Sequence, residues 1–188
     1  MRIQDIVYVS LFAAVTAALG LIPPIYLAIL PVPITAQALG PLLAGSILGG
    51  RRGGLSQALF LLLVAMGLPL LTGGRGGLGV FAGPSAGYLF GFALAAFAVG
   101  WATERWWQRL GFVQALAINL LAGVLVIHAC GIPVLAAVSG LGLAKALWGD
   151  AVFIPGDCLK AVIAALIAVF VKRGYPLIDQ RTAGSPNR

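Results

Sequence analysis

A chain of 188 residues that is 61% hydrophobic and 9% charged, with mean hydropathy +1.04, cannot clothe itself in a water-facing surface, because a soluble domain carries about 25% charged residues. The net charge of +7 does not point to nucleic acid, since the 12 Lys and Arg residues fall in short clusters between apolar runs, the distribution of topological anchors in a membrane protein. Apolar runs occupy nearly the whole length and exclude an added soluble domain, so residues 1–188 read as one membrane domain.

The first run, residues 6–22, lacks a clear cleavage site and leads into Pro-rich sequence, so it reads as a first helix and not a leader. Ser10, Ala14 and Ala18 recur every four residues along it, a small-residue stripe that lets another helix approach closely. Internal packing and docking onto a separate membrane subunit both fit that stripe. The second run, 34–48, follows Pro31-Val32-Pro33 and begins with Thr35 and Gln37. It is short and holds Gly40, Pro41 and Gly45, a composition tolerated in lipid only where neighbours or a cavity satisfy the backbone.

The third run, 55–71, leaves the membrane at Thr72-Gly73-Gly74-Arg75-Gly76-Gly77. Residues 74–79 match G-x-G-x-x-G, but that fingerprint needs a preceding soluble strand and a following Rossmann helix; between two spans it reads as a compact loop whose backbone can approach or cover a ligand. The fourth run, 83–103, opens with Gly83-Pro84-Ser85-Ala86-Gly87-Tyr88 and ends near Trp101, Trp106 and Trp107, amphipathic rings that anchor at the headgroup level. Residues 112–138 form the fifth run and contain a lone His128, which reads as a helix-to-helix hydrogen bond. The sixth run, 151–171, contains Pro155-Gly156-Asp157-Cys158-Leu159-Lys160. Cys130 and Cys158 read as buried free thiols. The polar tail 180–188 reads as mobile.

These runs predict an all-α integral membrane protein, a bundle of six transmembrane helices. With the N-terminus inside, Arg2, Arg51, Arg52, Arg105, Arg109, Lys172, Arg173, Arg181 and Arg188 are cytoplasmic, nine of the twelve positive residues; Arg75 and Lys145 fall in outer loops, and Lys160 lies within the last run. The positive-inside rule therefore predicts N-in, C-in.

Ionisable groups inside a membrane are functional candidates by default. Asp157 and Lys160, three apart and so on one helical face, lie at the outer end of the sixth run under this topology. Mutual neutralisation, or a carboxylate favoured by a helix N-terminus, would explain the pair without function. Convergence argues further: Thr35, Gln37, Gly74, Arg75 and Tyr88 belong to the same outer half. Together these groups suit a small polar molecule bearing a carboxylate.

The motifs Val32-Pro33-Ile34-Thr35-Ala36-Gln37, Leu42-Leu43-Ala44-Gly45, Gly50-Arg51-Arg52-Gly53, Gly67-Leu68-Pro69, residues 83–89 and Pro155-Gly156-Asp157 with Lys160 resemble, in order, the BioY family, biotin-specific S components of energy-coupling factor (ECF) transporters. The resemblance implies a six-helix bundle that captures biotin from outside, with Asp157, Lys160 and Gln37 in the pocket. It also implies that the stripe of Ser10, Ala14 and Ala18 docks onto a transmembrane coupling (T) subunit driven by a pair of ATPases, in the bacterial inner membrane. The polar loop residue expected to assist Asp157 falls among Gly73, Gly74 and Arg75. No cofactor, metal or catalytic group is implied.

No Walker A pattern occurs in the chain, so ATP-driven uptake requires partners. One rival reading is an intramembrane enzyme. It is disfavoured because Asp157 has no acidic neighbour at helical spacing and His128 lies several turns from the outer end. A self-sufficient secondary transporter or channel for a carboxylate-bearing solute is the other rival; no inverted repeat is evident to support it.

Overall fold

Backbone amides in lipid must pair within their own segment, so long apolar runs adopt helices, and Gly and Pro set where these stop. The computed structural model describes residues 2–26, 31–175 and 177–178. Its helices are α1 (Ile3–Leu19), α2 (Leu39–Leu48), α3 (Gly50–Ala65), α4 (Ala86–Arg105), α5 (Phe112–Ile118), α6 (Leu125–Ser139), α7 (Leu143–Asp150) and α8 (Ile154–Gly174). A π-helical turn, Asn119–Val124, joins α5 to α6, and a 3-10 turn, Ala151–Phe153, joins α7 to α8. Among the described residues no strand forms; two isolated antiparallel bridges pair Ile25 with Ile34 and Leu71 with Arg75.

Among the described residues, three helical runs are long and apolar enough to cross a membrane: Ala86–Arg105, Phe112–Ser139 and Leu143–Gly174, with mean hydropathies of 1.5, 2.3 and 2.0. α1 and α2 are apolar but shorter. Leu11, Leu94, Phe97, Leu121, Leu125 and Phe170 all point outward. An apolar skin of this extent suits lipid contact.

The sequence reading departs from the structure in three places. The stretch around Lys145 is not a loop: Leu143–Asp150 is helical and runs on into the last span, giving one segment of 32 residues. The break before it is short: Gly140 (φ 64°) ends α6 and Gly142 already caps α7. Trp101 and Trp106 are exposed as expected of anchors, but Trp107 is buried, with the Lys172 ammonium 5.2 Å from its ring centroid. Lys172 also donates to the Trp107 and Leu110 carbonyls. The thiols differ as well: both are free, yet Cys158 is exposed on the outer surface of α8 and Cys130 half-buried. The expected mobile tail 180–188, with Arg181 and Arg188, lies outside the described residues.

α2 is the central element. Every residue from Gly40 to Leu48 is buried, and the helix packs against α1, α3, α4 and α8, which satisfies the condition its Gly and Pro content imposed. It turns into α3 through Gly49, whose φ of 82° lies in the left-handed region that costs a side chain about 1–2 kcal/mol. A methyl group there would also collide with the Glu104 carboxylate, which accepts from the Gly50 amide. At this end Asp5 of α1 pairs with Arg52 of α3 at 2.6 Å. The segments around residues 32–38, 67–85 and 150–157 gather at the opposite end.

Candidate binding site

At that opposite end the helices part around a cavity of about 720 Å³, counting the solvent space of its open mouth. Its polar lining includes Thr35, Gln37, Arg75, Ser85, Tyr88, His128, Asp157 and Lys160; Phe92, Ile127 and Phe153 supply part of the apolar wall. Of the loop candidates Gly73, Gly74 and Arg75, Arg75 lines the cavity, and Gly73 and Gly74 are absent from its lining. Gly74, expected from the sequence as a ligand contact, sits at φ 70° in the turn closed by the Leu71–Arg75 bridge, with its amide donating to the Leu71 carbonyl, and so shapes the loop that carries Arg75.

The charged part of the lining is a chain of contacts through four elements. Lys160 Nζ donates to Asp157 Oδ1 at 2.7 Å along one face of α8. On the other oxygen, Asp157 Oδ2, His128 Nε2 of α6 approaches to 2.9 Å. The second ring nitrogen, Nδ1, lies 2.6 Å from Asp150 Oδ2 at the end of α7. Asp150 Oδ1 accepts from the Tyr88 hydroxyl of α4 at 2.6 Å. Tyr88, His128, Asp150 and Asp157 are all buried. Rings of Tyr88 and His128 meet edge to face with centroids 6.1 Å apart. Charges at this depth are tolerated when paired and hydrogen-bonded, and each of these is.

Local structure explains how they meet. Tyr88 lies flat on α6 because Gly131 has no side chain; a methyl there would overlap the phenol ring. The π-helical turn directly precedes α6, and Val124, Ile127 and His128 all face the cavity. Pro155 opens α8, where its fixed φ and missing N–H fit a first helical turn.

Two expectations change here. Asp157 does have an acidic neighbour: Asp150, seven residues or about two turns earlier, in the helix that the sequence reading took for a loop. His128 is not remote but touches Asp157; as expected, it makes a contact between helices, and it serves two carboxylates at once. The helical period back from Asp157 was the signal that would have found Asp150.

Gln37 lines the cavity, and its amide is engaged within the protein. Its Nε2 donates to the Thr16 and Leu70 carbonyls at 3.2 and 2.9 Å, and its Oε1 accepts from the Thr72 amide and hydroxyl at 2.9 and 2.8 Å. All four capacities of the amide are used. Gln37 thus ties the start of α2 to α1 and to the Thr72 loop, and only its apolar stem remains for the cavity. Arg75, in contrast, has one recorded hydrogen bond, from Nε to the Thr72 carbonyl.

On α1, Val9, Ala13 and Thr16 face the core, while Ser10, Ala14 and Ala18 are exposed on the other side. The stripe is therefore not used for packing among the described residues.

As a class, this is a helical, multi-pass membrane protein with a charged small-molecule cavity opening at one end. The sequence pattern of the BioY family matches residues 1–177. The biotin transporter BioY of Rhizobium etli is 50% identical over 186 residues, covering 96% of this chain and 100% of that protein. A probable biotin transporter BioY of Bacillus subtilis is 40% identical, covering 95% and 96%. Among solved structures, the S-component for biotin from an ECF-type ABC transporter superposes with a TM-score of 0.87 at 34% identity, over 91% of this chain and 92% of that one. The chain belongs to the BioY family.

Proposed function

We propose that this chain captures biotin on the extracytoplasmic side of the bacterial cytoplasmic membrane and delivers it as the S component of an ECF transporter. The observation that carries this reading is a cavity lined by two cations and a carboxylate, in a chain 50% identical over 96% of its length to a biotin transporter. The chain is a transport subunit, not an enzyme. Six spans with both termini inside complete the picture: the Arg and Lys clusters at the end away from the cavity support that orientation. A T subunit and two ATPases supply the energy, with T-subunit docking assigned to the exposed stripe of Ser10, Ala14 and Ala18.

Biotin has a ureido ring with two N–H donors at one end and a carboxylate at the other. Asp157 accepts from the ureido ring. Arg75, with a guanidinium suited to bidentate carboxylate contact, and Lys160 hold the carboxylate. Thr35 adds a hydroxyl, Tyr88 acts through Asp150, Gln37 holds the wall in place and Gly74 sets the loop.

Mass spectrometry of small molecules released from the purified chain tests the ligand directly, and release of a different molecule ends the biotin assignment. A charge-assisted contact is worth about 1.5–3 kcal/mol, so biotin methyl ester is expected to bind about 10- to 100-fold more weakly than biotin. Equal affinity for the two removes the carboxylate role of Arg75 and Lys160.

A further inference from the structure

Asp157 and Lys160 touch, at 2.7 Å, whereas the two groups assigned to them sit at opposite ends of biotin. Both roles are compatible only if Lys160 leaves Asp157 when the ligand arrives. That departure would strand a buried carboxylate unless another cation stays. We propose that His128, held by Asp150, is the counter-ion that remains on Asp157 while Lys160 moves to the ligand. This rests on the biotin reading above.

The geometry supplies each part of the exchange. The two cations occupy different oxygens of Asp157: Lys160 on Oδ1, His128 on Oδ2. Loss of Lys160 thus vacates Oδ1 for a ureido N–H, and the contact with His128 persists. Both ring nitrogens of His128 lie within 3 Å of a carboxylate oxygen, at 2.6 and 2.9 Å. A neutral imidazole has one N–H and would set a lone pair against the other carboxylate; a protonated ring presents an N–H to Asp157 and its positive charge to both carboxylates. Two aspartates, Lys160 and that ring then sum to zero charge, which is what a buried cluster in lipid requires. The charged and titratable groups facing the ring are Tyr88 from α4, Asp150 from α7, and Asp157 and Lys160 from α8. Tyr88 binds the far oxygen of Asp150 and fixes the carboxylate that aims the ring. His128 and Asp150 are positioning residues, acting on the ligand through Asp157.

Affinities for biotin and its methyl ester, and the melting temperature of the ligand-free chain, are measured for the full-length wild type, His128→Gln, Asp150→Asn and the double variant in nanodiscs. His128→Gln is expected to pin Lys160 on Asp157, lowering biotin affinity about 10- to 100-fold and narrowing the gap between biotin and ester. Each single variant unbalances the ligand-free cluster and lowers its melting temperature; the double variant restores neutrality and recovers most of that loss, yet leaves the gap narrow. An undiminished gap in His128→Gln overturns the proposal, as does a double variant that regains the gap, since His128 would then serve only to neutralise Asp150. If the wild type does not bind biotin, the functional reading fails. The melting temperatures still test the charge balance, and additive losses in the double variant overturn it.

Discussion

Asp157 is where the chemistry of the cavity concentrates, with the Lys160 ammonium on one carboxylate oxygen and the His128 ring on the other. Asp157→Asn keeps the volume but removes the charge that draws a ureido N–H and presents an amide donor in its place. Biotin affinity is expected to fall about 10- to 100-fold, the worth of a charge-assisted hydrogen bond, read by isothermal titration; unchanged binding removes the ureido role. Asp157 and Lys160 were legible in the sequence because charge is rare in an apolar run and three-residue spacing puts both on one face. Gln37 stood out for the same reason, but its four partners come from residues 16, 70 and 72. No local pattern reveals that a polar side chain is already saturated by distant backbone.

The helices set how accurately these side chains meet. α4 and α6 pack closely because Gly131 gives way to the Tyr88 ring. Gly131→Ala forces the phenol aside, an overpacking that costs about 1–3 kcal/mol and breaks its bond to Asp150. Melting temperature and biotin affinity should both fall, and combining it with Tyr88→Phe should lower affinity by less than the sum of the two effects. Additive effects on affinity would separate Gly131 from the Tyr88–Asp150 bond. Most of the runs were legible because hydropathy and Gly or Pro punctuation are local properties. α7 was not, since an eight-residue helix set off by Gly140 and Gly142 is too short to hold by itself; its contact with α6 and its continuity with α8 hold it helical.

Across the whole molecule, the proposed binding site and the proposed docking stripe are separate: the cavity lies within the bundle, while Ser10, Ala14 and Ala18 face away from the core. Leucine at positions 14 and 18 would hold a partner helix off without disturbing the cavity. Ala14→Leu with Ala18→Leu should therefore leave biotin binding by the isolated chain unchanged and weaken co-purification with the T subunit by about tenfold or more, a loss of about 1.4 kcal/mol. Undiminished co-purification would move the docking surface elsewhere. Orientation is tested separately by reporter fusions, which should place both termini on the cytoplasmic side; an extracytoplasmic C-terminus would contradict an even number of spans.

Composition placed this chain in a membrane, and its continuous apolar runs made it helical. A barrel strand alternates apolar and polar residues, whereas an unbroken apolar run satisfies its backbone as a helix. The order of its motifs pointed to the family. Which polar groups meet was decided only by tertiary structure. Asp150, His128 and Tyr88 come from three helices far apart in the chain, and a contact made across helices depends on register and packing that no single stretch of sequence encodes.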